Sequence, residues 1–95
     1  MKKYELMYIL KPTLDPEALK NQINDLNNVI TSQGGNIIEF KEMGLKDLAY
    51  EINKFKKGYY VWILAELSND GIAEFKRVIR ITENVIRNIE VNVGA

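Results

Sequence analysis

The sequence predicts an α+β fold whose elements run in the order strand, helix, strand, strand, helix, strand. Three observations carry that prediction. Two runs, Tyr4–Leu10 (YELMYIL) and Tyr59–Leu67 (YYVWILAEL), place large apolar side chains on both parities, as strands covered on both faces do. Two other segments repeat apolar residues at spacings of three and four, the period of an amphipathic helix. With 95 residues the chain has room for one modest core, so residues 1–95 are expected to form a single domain.

The elements follow in order. Residues 3–10 form the first strand, with Tyr4, Leu6, Tyr8 and Leu10 on one face and Met7 and Ile9 on the other, and Lys11-Pro12 ends it. Asp15 supplies an N-cap, Pro16 fits the first helical position, and Glu17 complements the positive helix end. Leu19, Ile23, Leu26 and Ile30 make the apolar stripe of this helix, which Gly34-Gly35 terminates. A long second strand runs from about Asn36 to Ile52, and its phase changes twice. Ile38 and Phe40 are apolar at even numbers, Met43 and Leu45 at odd, Leu48, Tyr50 and Ile52 at even again. One extra residue sends the following side chains to the opposite face, so a β-bulge is expected at Gly44, where glycine tolerates unusual backbone angles. Such a bulge either re-aims side chains at a functional edge or only bends the strand.

Asn53–Gly58 (NKFKKG) reads as a turn, and Tyr59–Leu67 as the third strand. Ser68, Asn69 and Asp70 offer caps to a second helix lined by Ile72, Phe75 and Ile79. The last strand, Asn84 to Val93, alternates Ile89, Val91 and Val93 with Asn88, Glu90 and Asn92. Right-handed crossovers put both helices on one face of a four-stranded antiparallel sheet with strands one and three central. This is the ferredoxin-like βαββαβ arrangement, which by itself selects no function.

Composition narrows the classes. The chain has no cysteine and no histidine, which removes disulfides, Cys or His metal sites, thiol nucleophiles and histidine acid–base chemistry. Neither Ser32 nor Ser68 has a histidine to activate it, and no paired acids sit in an apolar context, so no enzyme, cofactor or metal is expected. No apolar run approaches the roughly 18 residues of a membrane span. The opening MKKYELMYIL is interrupted by Glu5 and lacks a small-residue cleavage site, so it reads as a strand of a cytoplasmic protein rather than a signal peptide. Net charge is zero, with 13 basic and 13 acidic residues. A stand-alone nucleic-acid binder usually carries a basic excess. The basic residues nevertheless cluster, at Lys54, Lys56 and Lys57 and again at Lys76, Arg77, Arg80 and Arg87.

The two faces of the sheet differ. Val61, Ile63 and Ala65 are compact and suit packing beneath helices, whereas Tyr60, Trp62 and Leu64 share the opposite face with Met7 and Ile9. Aromatics contribute roughly 150–250 Å² each, so this open face presents several hundred Å² of apolar surface, enough to mark a partner site. No spare loop is long enough to cover it. An aromatic open face on this topology also suggests an RNA-recognition motif. Lys57-Gly58-Tyr59 matches the start of that motif's third-strand signature, but Tyr60, Val61 and Leu64 depart from it, and base stacking across the sheet is not supported.

GLKDLAYEIN, Gly44 to Asn53, resembles the signature of the family of protein six of the bacterial small ribosomal subunit, in its glycine, Lys46, Asp47, Leu48, Ala49, Tyr50, Ile52 and Asn53. The resemblance extends over the chain, through MKKYELMYIL with its Tyr4-Glu5 pair, KGYYVWI with Gly58, Tyr59 and Trp62, and RITENVIR from Arg80 to Arg87. It implies a structural ribosomal protein that binds the central domain of small-subunit ribosomal RNA as a heterodimer with protein eighteen of the same subunit. A basic partner would supply much of the phosphate contact that a neutral chain cannot. The expected protein interface comprises Met7, Ile9, Leu48 and Tyr50 with Tyr60, Trp62 and Leu64. The expected ribosomal RNA contacts are Arg80 and Arg87, then Lys2 and Lys3, then Lys54, Lys56 and Lys57. Arg87 either pairs at an edge or points at RNA, and Lys56 and Lys57 suit a solvated loop as well as a contact. Asp47 and Glu51 make direct phosphate contact by their own stretch unfavourable. Two other classes remain as alternatives: a stand-alone module stacking single-stranded RNA on Tyr59, Tyr60 or Trp62, and an acylphosphatase-like enzyme. The enzyme wants a glycine-rich loop with an arginine where this chain has Lys11-Pro12-Thr13.

Overall fold

A computed structural model of the protein describes residues 1–94. The elements are β1 (Lys2–Leu10), α1 (Pro16–Ser32), β2 (Asn36–Ile52), β3 (Phe55–Leu67), α2 (Asn69–Ile81) and β4 (Val85–Gly94). The sheet runs β2-β3-β1-β4 with every neighbouring pair antiparallel, so β1 and β3 are central, in the ferredoxin-like order. Among the described residues no helix is long and apolar enough to cross a membrane.

The register explains the core. Leu6 stands opposite Ile63 and Tyr8 opposite Val61, so the even residues of β1 and the odd residues of β3 share the helix side. There they meet Ile23, Leu26 and Ile30 of α1 and Ile72, Phe75 and Ile79 of α2 in one buried cluster. Each such side chain contributes roughly 1.5–3 kcal/mol by leaving water. Both helices start as their caps dictate. The Asp15 carboxylate accepts from the Ala18 amide at 2.7 Å, and the Ser68 hydroxyl accepts from the Gly71 amide at 3.0 Å.

The β2–β3 hairpin departs from the sequence reading. Its turn is only Asn53-Lys54, with φ of 50° and 69°, and Ile52 lies opposite Phe55. Positive φ at both central residues makes a type I′ turn, whose twist matches that of the flanking strands. Phe55 to Gly58 therefore belong to β3, Lys57 and Gly58 pairing with Asp47 and Lys46. The expected bulge is present: the register shifts between Glu42 and Gly44, and Gly44 has φ 87°. Two further shifts, between Ile37 and Glu39 and between Asp47 and Ile52, accompany it. The first makes Ile37, with Phe40, the residue that packs on the core and leaves Ile38 exposed.

Candidate protein and nucleic-acid interfaces

The third shift builds the site. Between the pairs Asp47–Lys57 and Ile52–Phe55, β2 runs through Leu48, Ala49, Tyr50 and Glu51 where β3 has Lys56 alone. The surplus cannot stay in the ladder, so this end of the hairpin arches over the open face of the sheet. It reaches across β1 to β4, where an Arg87 Nη donates to the Tyr50 hydroxyl and the guanidinium carbon lies 5.7 Å from the Tyr50 ring centre. Gly58 is what lets the base of the arm lie close to β1. A Cβ at that position would sit 2.2 Å from Ile9 Cγ2. No loop covers the open face, as expected, but β2 itself partly covers it, which the sequence reading did not foresee.

Beneath the arm is an apolar groove of about 290 Å³. It brings together five of the expected interface residues, Met7, Ile9, Leu48, Tyr50 and Tyr60. Trp62 stands beside it, sharing a second, shallower depression with Met7 and Met43, and Lys41 Nζ sits 5.5 Å from its ring centre. Leu64 lies further along, opposite Glu5 and Glu39, at a more acidic end of the face. Sequence reasoning left out Met43 and the row Ile89, Val91 and Val93 on β4, each more than two-fifths exposed. The parity shared by Arg87, Ile89 and Val91 was the signal, since Ile89 pairs with Met7 and Val91 with Glu5 on this same face.

The three aromatics Tyr59, Tyr60 and Trp62 of β3 do not act together. Tyr59 turns to the helix side and donates to Glu42 Oε1 at 2.9 Å. Partial burial, then that hydrogen bond and the carboxylate charge, raise its phenol above the ordinary tyrosine value. Only Tyr60 and Trp62 remain on the open face, which removes one platform from a base-stacking reading.

The expected RNA contacts fall at two ends of the molecule. Lys54, Lys56 and Lys57 lie on the hairpin arm, where β1 ends, since Leu10 pairs with Tyr59. Arg80 is in the last turn of α2, which returns to the same end before β4 starts opposite Leu10. Arg87 pairs with Ile9 nearby and is engaged with Tyr50. Lys2 and Lys3 lie at the opposite end, about 26 Å away along β1. Lys57 also faces Asp47 Oδ1 at 3.8 Å, an exposed pair worth little. Among the described residues no cluster of acids could hold a metal ion. The arrangement offers apolar contact and charge rather than acid–base chemistry.

Comparison with known proteins agrees with this geometry. Residues 3–92 match the family described as Ribosomal protein S6. The chain is 66% identical over 94 residues to small ribosomal subunit protein bS6 of Acholeplasma laidlawii, covering 99% of both chains. It is 52% identical over 87 residues to the bS6 of Halalkalibacterium halodurans, covering 92% of each. The crystal structure of 30S ribosomal protein S6 from Thermotoga maritima superposes with a TM-score of 0.92 at 28% identity, over 97% of this chain and 87% of that one. A four-stranded sheet with a ribosomal signature on its arched strand, matched over nearly its whole length, thus belongs to the Ribosomal protein S6 family: it is a structural component of the small ribosomal subunit, and so of the bacterial cytoplasm, rather than an enzyme.

Proposed function

We propose that this protein, acting as one domain over residues 1–95, binds the central domain of small-subunit ribosomal RNA jointly with small-subunit protein eighteen. The observation that supports this best is the groove on the open face, where Met7, Ile9, Leu48, Tyr50 and Tyr60 converge, with Trp62 and Leu64 continuing the face beyond it. The groove is lined largely by the aliphatic and thioether side chains Met7, Ile9, Leu48, Ile52 and Ile89, which suit protein side chains better than the stacked bases and phosphates that RNA offers. The charge balance supports the division of labour. With 13 basic and 13 acidic residues, the chain can neutralise few phosphates alone. Lys54, Lys56, Lys57, Arg80 and Arg87 lie at one end of the fold and are the first candidates for RNA; Lys2 and Lys3, at the other end, would need a separate RNA segment.

The test is a titration of central-domain RNA with each protein alone and with both. This protein alone is expected to bind no tighter than roughly 10⁻⁴–10⁻⁶ M at physiological salt, and the pair much more tightly, since the two sets of contacts share one cost of association. Nanomolar binding by this protein alone would favour a stand-alone RNA binder instead. Trp62→Glu should leave the fold intact and weaken heterodimer formation by about 2 kcal/mol or more, as loss of an aromatic anchor does.

A further inference from the structure

We infer that residues 47–57 form a hinged arm that partly covers the apolar groove in the free protein and lifts to seat a partner on its floor. The inference rests on the reading that this face receives a partner protein, and it concerns how that site is regulated. Three features of the arm carry it.

First, the arm is joined to the sheet at places built to bend. Gly44, three residues before the arm on β2, has φ 87° with nothing within 4 Å of where a Cβ would sit, and within the arm the ladder breaks between Asp47 and Ile52. Second, the arm is held down lightly. Across the whole width of β1 its named polar tie is Arg87 to Tyr50, one hydrogen bond with the guanidinium near the ring, and Tyr50 is still 60% exposed. At an exposed site such contacts are modest, which keeps the lifted state within reach as a minor one. Third, the closed arm does not fill what it covers. A groove of about 290 Å³ remains between Leu48, Tyr50 and Ile52 above and Met7, Ile9 and Tyr60 below. A segment committed to the core would collapse onto that floor to recover its dispersion contacts. The arm instead covers the floor only in part, leaving room for side chains from another molecule.

The closed arm lowers apparent affinity by the fraction of time the groove is accessible. Arg87 is then the latch, a positioning residue for the arm rather than a free hand for phosphate.

The chain has no cysteine, so a clean lock can be built. The variant Tyr50→Cys/Arg87→Cys is bridged with a reducible thiosulfonate crosslinker of matching span, and binding of protein eighteen is measured before and after reduction. Binding about tenfold or more weaker in the bridged form than in the same variant after reduction is the expected result. Equal affinity in the bridged and reduced forms would show that the arm stays down during binding and would overturn the inference. If wild-type protein fails to bind protein eighteen at all, the functional reading fails separately, and the arm is judged by an apolar fluorescent dye, anilinonaphthalene sulfonate. Arg87→Ala should then raise dye fluorescence with an unchanged thermal midpoint; no rise in dye fluorescence would rule out a lifting arm.

Discussion

Replacing Gly58 with alanine tests whether the approach of β3 to β1 is as tight as it looks. The added methyl carbon would lie 2.2 Å from Ile9 Cγ2 and 3.5 Å from Ile86 Cδ1. The second distance is an ordinary contact. The first is not, since carbon atoms pack at about 3.5–4.0 Å, so one partner must move by more than an ångström. Ile9 has little freedom to yield. It is 7% exposed, β-branched, and held by pairing with Tyr60 on one side and Arg87 on the other. Overpacking of this kind costs about 1–3 kcal/mol. The assay is urea unfolding followed by Trp62 fluorescence for Gly58→Ala, Ile9→Ala and the double variant. Because Ile9→Ala removes the colliding methyl, the double variant should be more stable than the sum of the single losses by about 1 kcal/mol or more. Additive losses, or a loss below about 0.5 kcal/mol for Gly58→Ala alone, would refute the close approach.

Three further predictions concern stability. The Tyr8 hydroxyl is buried with no hydrogen-bond partner among the described residues, so Tyr8→Phe should leave stability at neutral pH unchanged or raise it by about 1 kcal/mol, measured by urea unfolding. Burial, with a lesser contribution from the Glu42 charge, raises the Tyr8 phenol well above its ordinary value near 10, so its proton is kept in the fold and lost in the unfolded chain. Stability from that group is complete below pH 10 and falls by about 1.4 kcal/mol per pH unit above it, and Tyr8→Phe should remove that part of the alkaline slope. Lys54, at φ 69° in the hairpin turn, should gain about 0.5–1 kcal/mol on Lys54→Gly, read as a higher thermal midpoint. Asp15→Ala should lose about 1 kcal/mol with the Ala18 amide left uncapped, seen in the same melt.

The sheet order, both helices and the core were legible in the sequence because each is written in a local period. The even residues of β1, the odd residues of β3 and the stripes of α1 and α2 are those that meet in the buried cluster. Gly44 was legible as a bulge because a phase change leaves a trace in parity. The start of β3 was not, because Phe55-Lys56-Lys57-Gly58 carries its pairing in backbone bonds and not in apolar alternation. The arm was least legible of all. Leu48, Tyr50 and Ile52 read as an ordinary strand face, and only their pairing register shows that four residues oppose one. The partnership of Tyr50 with Arg87 joins residues far apart in sequence, and no local pattern records it.

The two outer strands explain why the arm lands where it does. Each leaves one row of backbone groups unpaired, an edge that proteins must protect or use. The β2 edge is blunted by three register shifts and by Glu39, Lys41, Glu42, Lys46 and Asp47 along its length. The β4 edge is plainer: Arg87 to Asn92 pair with β1 without interruption, and Ile89, Val91 and Val93 stand exposed beside it. The unprotected edge and the apolar face therefore adjoin along β4, and on the proposed reading the partner protein approaches from that side. The surplus residues of β2 thus break one edge and send Tyr50 across the open face to Arg87 on the other outer strand. Arg87 stands at the junction. It lies on the apolar parity of β4, yet at the same end as Arg80 and the lysines of the arm. If the partner lifts the arm, Tyr50 releases that guanidinium beside the basic end of the fold. Docking of the protein partner would then add a cation to the surface that meets RNA, and a chain of zero net charge would bind the two in a coupled way.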